Sequence, residues 1–144
     1  MMTLQEQINR LWELKKKCDL DIYYQIDTST FGIPVLVNRV NKHSIVTGKN
    51  SWTKFTTVVT VNNDDPELFD VRLLYKNDAS KSLMCKKKVP MNRCHFWMKQ
   101  FYSSVQLMLR SWDPVPTTHD DIVNSNEFLE QCERLEKMAR VEAS

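Results

Sequence analysis

Glycine is nearly missing from this chain. Only Gly32 and Gly48 occur among 144 residues. Loops that cradle phosphate on bare backbone, the GxGxxG turn and the Walker lysine loop alike, are thereby excluded. Paired cysteines are missing too: Cys18, Cys85, Cys94 and Cys132 are scattered with no CxxC, a spacing that suits neither a zinc site nor a disulfide framework. No apolar run approaches the roughly 20 residues that a membrane-spanning helix requires. The opening "MMTLQEQINRLWELKKK" carries charge and amide where a secretory leader carries an apolar block. These absences lead us to expect a cytoplasmic protein with reduced thiols, no membrane insertion, and no metal or other cofactor.

What is present is an ordinary globular composition, 42% apolar and 26% charged, in a chain whose length favours one domain. The formal charge of +2 conceals an asymmetry. Residues 1–116 hold 17 Lys and Arg against 11 Asp and Glu, a balance of +6, whereas residues 117–144 hold 3 against 7, a balance of −4. This divides the chain into a basic core domain, 1–116, and an acidic C-terminal helical extension, 117–144, and hints at a polyanionic partner.

The periodicity orders the elements. Thr3 to Glu6 has the form of a capping box, and Leu4, Ile8, Leu11 and Cys18 recur at near-helical spacing, predicting an amphipathic helix over 4–17. In "DLDIYYQID" Leu20, Ile22, Tyr24 and Ile26 alternate with polar residues, predicting a half-buried strand. Residues 33–47 carry weaker alternation and suggest a short hairpin. "KFTTVVTVN" is rich in β-branched residues. "LFDVRLLYK" turns Phe69, Val71, Leu73 and Tyr75 to one face. "SLMCKKKV" places Leu83, Cys85 and Val89 on one face and Lys86 and Lys88 opposite. Cys94, Trp97, Met98, Phe101, Val105, Met108, Leu109 and Trp112 then form the core-facing stripe of a long helix, ended by "DPVP". A last helix, capped from Asn124 to Glu127, carries Phe128, Cys132, Leu135 and Ala139. The reading is an α+β fold: an N-terminal helix, an antiparallel sheet of three to five strands, a long helix packed on one sheet face, and an acidic C-terminal helix.

If the apolar strand positions turn inward, Arg72 and Lys76 share an uncovered sheet face with Lys86 and Lys88, extended by Thr56, Val58 and Thr60. Such a face suits the phosphate backbone of RNA, because each lysine or arginine contact displaces condensed counterions. Tyr23 is the aromatic available for base stacking, Lys15, Lys16 and Lys17 end the first helix nearby, and Arg39, Lys42, Lys49 and Lys54 populate loops. The competing reading is solvation: lysines keep strand edges soluble and suit a helix C-terminus. Phe96, Tyr102 and Leu107 fall outside the core stripe of the long helix and are the candidates for meeting a partner subunit or the C-terminal helix. Catalysis finds little support. Cys94 and His95 are helix neighbours pointing about 100° apart, His43 and His119 have no assembled partner, and Asp64-Asp65 and Asp120-Asp121 read as turn and helix-start chemistry.

Three segments carry a family likeness: "INRLWELKKKCDLDIYYQI", "DVRLLYKNDASKSLMCKKKV" and "HFWMKQFYSSVQLML". In them the chain resembles the small Alu-domain subunits of the signal recognition particle, the fourteen-kilodalton subunit more than its nine-kilodalton partner. The resemblance implies a helix, three strands and a helix that form a homo- or hetero-dimer with a related subunit, joining two sheets into one RNA-gripping surface. It also implies that Arg72, Lys76, Lys86, Lys87 and Lys88 face structured RNA, with Lys15, Lys16 and Lys17 at the rim. It extends over less than half of the chain, and the basic tail expected of the larger subunit is replaced by an acidic helix. The functional expectation is therefore a non-enzymatic RNA-binding subunit of a ribonucleoprotein. The alternative is a protein-interaction module that uses the acidic C-terminal helix and exposed aromatics and binds no nucleic acid. RWD-like domains share this order of elements.

Overall fold

The computed structural model describes residues 2–20, 24–38 and 55–143. Thr3 caps the first helix, α1 (Leu4–Lys17), as its spacing predicts: its hydroxyl accepts the Glu6 amide, and the Glu6 carboxylate accepts the Thr3 amide. Five strands follow: β1 (Tyr24–Asp27), β2 (Val35–Asn38), β3 (Phe55–Val61), β4 (Leu68–Tyr75) and β5 (Asp78–Pro90). They pair in sequence order as an all-antiparallel meander. Pro90, with no amide hydrogen to give, ends β5 and caps α2 (Met91–Ser111). Two further helices close the chain, α3 (His119–Val123) and α4 (Asn126–Ala143). This is the expected α+β order. Part of the proposed 33–47 hairpin joins the sheet as β2; its remainder, Tyr23, His43 and the loop cations Arg39, Lys42, Lys49 and Lys54 lie outside the described residues.

The sheet's inner face gathers Tyr24, Leu36, Phe55, Val59, Phe69, Val71, Leu73 and Tyr75, against which α1 sets Leu11 and Leu14 and α2 sets its stripe from Cys94 to Leu109. Every residue of that predicted stripe, Trp112 included, is buried. Ile122, Phe128 and Leu135 from the last two helices belong to the same core. The basic segment 1–116 and the acidic segment 117–144 therefore pack as one body. Ser125, rather than Asn124, caps α4, accepting the Phe128 amide at 3.2 Å.

Two local irregularities shape the β4–β5 hairpin. The turn between β4 and β5 is a two-residue hairpin at Lys76 and Asn77, with φ of 57° and 55°, so Asp78 already belongs to a strand. A positive φ at both central positions is what the type I′ hairpin turn demands, and asparagine tolerates it best. β5 is also irregular. Its register against β4 shifts between Phe69 and Val71 and again near Leu73 to Tyr75, and each shift exchanges the faces of the side chains beyond it.

Candidate functional site

The register of β5 dismantles the expected basic platform. Arg72 lies opposite Cys85, and Val71 lies opposite Lys86. Directly opposed residues of an antiparallel pair point to the same side. Arg72 therefore faces outward with Cys85, while Lys86 faces the helices with Val71, its ammonium 5.3 Å from the centre of the Trp97 ring. Lys76 sits in the hairpin turn, 5.2 Å from the Tyr75 ring. Lys88 takes a left-handed conformation, φ 56°, at the bulge, and its amide donates to the Asp70 carboxylate at 3.0 Å. Lys87 is exposed, and with Arg72 it lowers the Cys85 thiol against the upward push of burial. Arg72 and Lys87 thus lie beside Cys85 on the outer side, while Lys86 lies on the other.

That side is not bare either. Thr56, Val58 and Thr60, expected to extend an open surface, are 3%, 3% and 6% exposed. Val35, Val37, Val58 and Leu74 form a small second core with Phe31 packed against it. Arg72 is already engaged, donating to the Thr60 hydroxyl at 3.0 Å and to the Asp70 carboxylate at 3.5 Å. The RNA platform expected on the outer sheet face is corrected on both counts: its cations divide between two faces, and its small side chains are buried.

The remaining predicted residues separate as well. Lys15, Lys16 and Lys17 end α1, where Lys15 lies 4.9 Å from the ring of Trp12. Trp12 is 53% exposed and was not singled out in the sequence, although its position beside the apolar stripe of α1 was the available signal. Phe96 and Tyr102 are half-buried against the core, with the Arg93 guanidinium 4.2 Å from the Phe96 ring. Leu107 alone of the three stays exposed.

Sequence reasoning missed a trough of about 270 Å³ between β5 and α4. Its floor is Leu83, Met84, Trp97 and Phe101, all buried, and its far wall is Cys132, Leu135 and Ala139 of α4. Lys86 and Glu136 stand on its rims. The helix forming the wall is held firmly. The Arg134 guanidinium donates to the Gln131 and Gln100 side chains, the Gln100 carbonyl and the Ser104 hydroxyl. The Trp97 indole donates to the Glu142 carboxylate at 2.9 Å. β5 is the last strand of the sheet, and among the described residues its outer edge makes no backbone hydrogen bond to another element. Side chains meet three of the β5 carbonyls: the His119 ring lies 3.3 Å from that of Ser82, the Ser82 hydroxyl 3.5 Å from that of Met84, and the Cys94 thiol 3.9 Å from that of Val89.

The thiols lie at the unreactive end of cysteine chemistry. Burial raises Cys18, Cys85 and Cys132, and it pushes Cys94 up to about 12. His95, beside Cys94 in sequence, is pulled down by burial and by Lys99. Among the described residues no cluster of His, Cys, Asp or Glu could hold a metal ion, and no helix is long and apolar enough to cross a membrane. A raised thiol pKa shrinks the thiolate fraction at any pH below it, and the thiolate is the reactive species. At pH 8 no cysteine of the folded chain is expected to react with an aromatic disulfide reagent faster than free cysteine does, and Cys94 should stay unmodified until unfolding. One fast thiol in a stopped-flow trace would contradict this.

The chain matches no family model, no curated protein and no solved structure. The resemblance read in the sequence meets a sheet in which β2 and β3 stand between the segments taken as its first and second strands.

Proposed function

We propose that this chain is a non-catalytic protein-binding module whose contact site is the trough between β5 and α4. One observation carries the reading: an unpaired strand edge runs beside an apolar trough whose opposite wall is a helix fixed in place. Buried apolar floors with a few charges on the rim are the usual composition of binding sites, and a free sheet edge is a standing template for another chain. The acidic C-terminal helix thus serves the contact as a wall, together with the aromatics of α2 beneath.

The test is selection of binders from a randomised peptide display, followed by amide hydrogen exchange on the folded protein. Selected peptides should protect residues 83–89 and 132–139. Binders that protect only α1, or none at all, overturn the reading.

A second reading has its own observation. Trp12 is exposed on α1 with Lys15 over its ring, and Lys16 and Lys17 are exposed beside it. An aromatic face flanked by cations is the composition with which proteins stack and neutralise nucleic acid. In this form the chain binds structured RNA as a ribonucleoprotein subunit, alone or paired with a related subunit, through α1 rather than through the sheet. Affinity should then fall steeply with salt and disappear in the Trp12→Ala, Lys16→Glu double variant. Affinity indifferent to both changes dismisses it.

A further inference from the structure

Resting on the trough reading, the register of β5 points further, to the chemistry of the occupant. We infer that the site takes an extended segment of a partner protein in which apolar and acidic side chains alternate, added as a sixth strand along Leu83–Val89.

An added strand inherits the facing of the strand it pairs with. Its residues opposite Met84 and Lys86 turn toward the helices, because those two positions pair with Leu73 and Val71 on the core face. There they meet the trough floor of Leu83, Trp97 and Phe101 and the wall of Leu135 and Ala139, which removes apolar side chains from water. Its residues opposite Cys85 and Lys87 turn to the other side. The cations on that side are Arg72 and Lys87, with Asp70 already taken up by Arg72, Asn62 and the Lys88 amide. Lys81 and Lys88 are also exposed on the same strand. One side of the added strand is therefore called to be apolar and the other acidic.

The charge also decides between occupants. A second copy of β5 laid antiparallel on the first would oppose lysine to lysine, which is unfavourable directly across strands. A helix would leave the strand's outward amides and carbonyls unpaired. An acidic strand satisfies the backbone and the cations together.

The experiment uses the full chain and a short capped peptide alternating glutamate and valine, with binding read by fluorescence anisotropy and location by hydrogen exchange. Protection should appear at 83–89. N-methylating alternate residues of the peptide should abolish binding in one phase and spare it in the other, because only one set of amides faces β5. Lys87→Glu, an exposed substitution that leaves the core alone, should weaken binding about tenfold. Equal binding in both N-methyl phases overturns the inference, as does equal binding of a lysine–valine peptide, protection elsewhere, or no binding at millimolar peptide. Should display-selected peptides protect the trough but prove helical or basic, the binding module stands and the acidic strand falls. Should structured RNA protect 83–89 in place of peptide, both fall.

Discussion

Deleting residues 117–144 should lower the unfolding free energy by roughly 5 kcal/mol, from the loss of three buried apolar side chains at about 1.5–3 kcal/mol each. Those side chains are Ile122, Phe128 and Leu135, at 0%, 6% and 7% exposure within the common core. The deletion also uncovers Trp97 and Phe101, buried partly beneath α4, and strips the Ser104 hydroxyl and the Gln100 carbonyl of the Arg134 guanidinium. Natural domains hold only about 5–15 kcal/mol in all. The truncated chain should consequently be unfolded or close to it, with a urea midpoint shifted to low denaturant. A truncated chain with the full-length midpoint would mean that α3 and α4 are a detachable extension, as the charge boundary at residue 116 suggested, and the trough would lose its wall as an argument. For the same reason, truncation cannot serve as a clean test of partner binding; surface substitutions such as Lys87→Glu can.

The second large effect lies at Asp70. This carboxylate is 7% exposed and is the acceptor for the Asn62 amide at 2.9 Å, the Lys88 backbone amide at 3.0 Å and the Arg72 guanidinium at 3.5 Å. Asn62 in turn accepts the Asp64 and Asp65 amides and shapes the β3–β4 loop. Asp70→Ala leaves three donors without their acceptor, the buried Asn62 amide among them, and should cost about 3 kcal/mol. Asp70→Asn keeps one carbonyl oxygen and should cost less. The variants also carry a readout that a simple stability loss would not move: hydrogen exchange at Lys88 should quicken in Asp70→Ala beyond that of the neighbouring β5 amides. If Lys88 exchanges no faster than Val89 does, the carboxylate is not what holds the bulge.

That bulge is where sequence reasoning and structure part. The capping box at Thr3, the α2 stripe from Cys94 to Trp112 and the inward set Phe69, Val71, Leu73 and Tyr75 were all legible, because each depends on a local period that burial enforces. Lys86 was misplaced, because strict alternation through "SLMCKKKV" puts Leu83, Cys85 and Val89 inward. In the fold Leu83 stays in the core as expected, but Met84 and Lys86 are inward too, Cys85 faces out, and the Lys87–Lys88 irregularity opposite Asp70 returns Val89 to the core. No single-strand pattern contains that information, since the extra residue is selected by a carboxylate on the neighbouring strand. Arg134 teaches the same lesson on a helix. Its four-residue spacing from Glu130 suits a surface pair, but the buried Ser104 and Gln131 supply its acceptors instead.

By itself the sequence determined the order of helices and strands, the inner face of most of them and the exclusion of glycine-rich phosphate chemistry, since propensity, spacing and composition act over a few neighbouring residues. Only the tertiary structure decided which side each lysine of β5 occupies, that the acidic helix is part of the core, and that a trough lies beside an unpaired edge. Those features depend on register and on contacts between distant segments, where one residue of slip reverses every side chain beyond it.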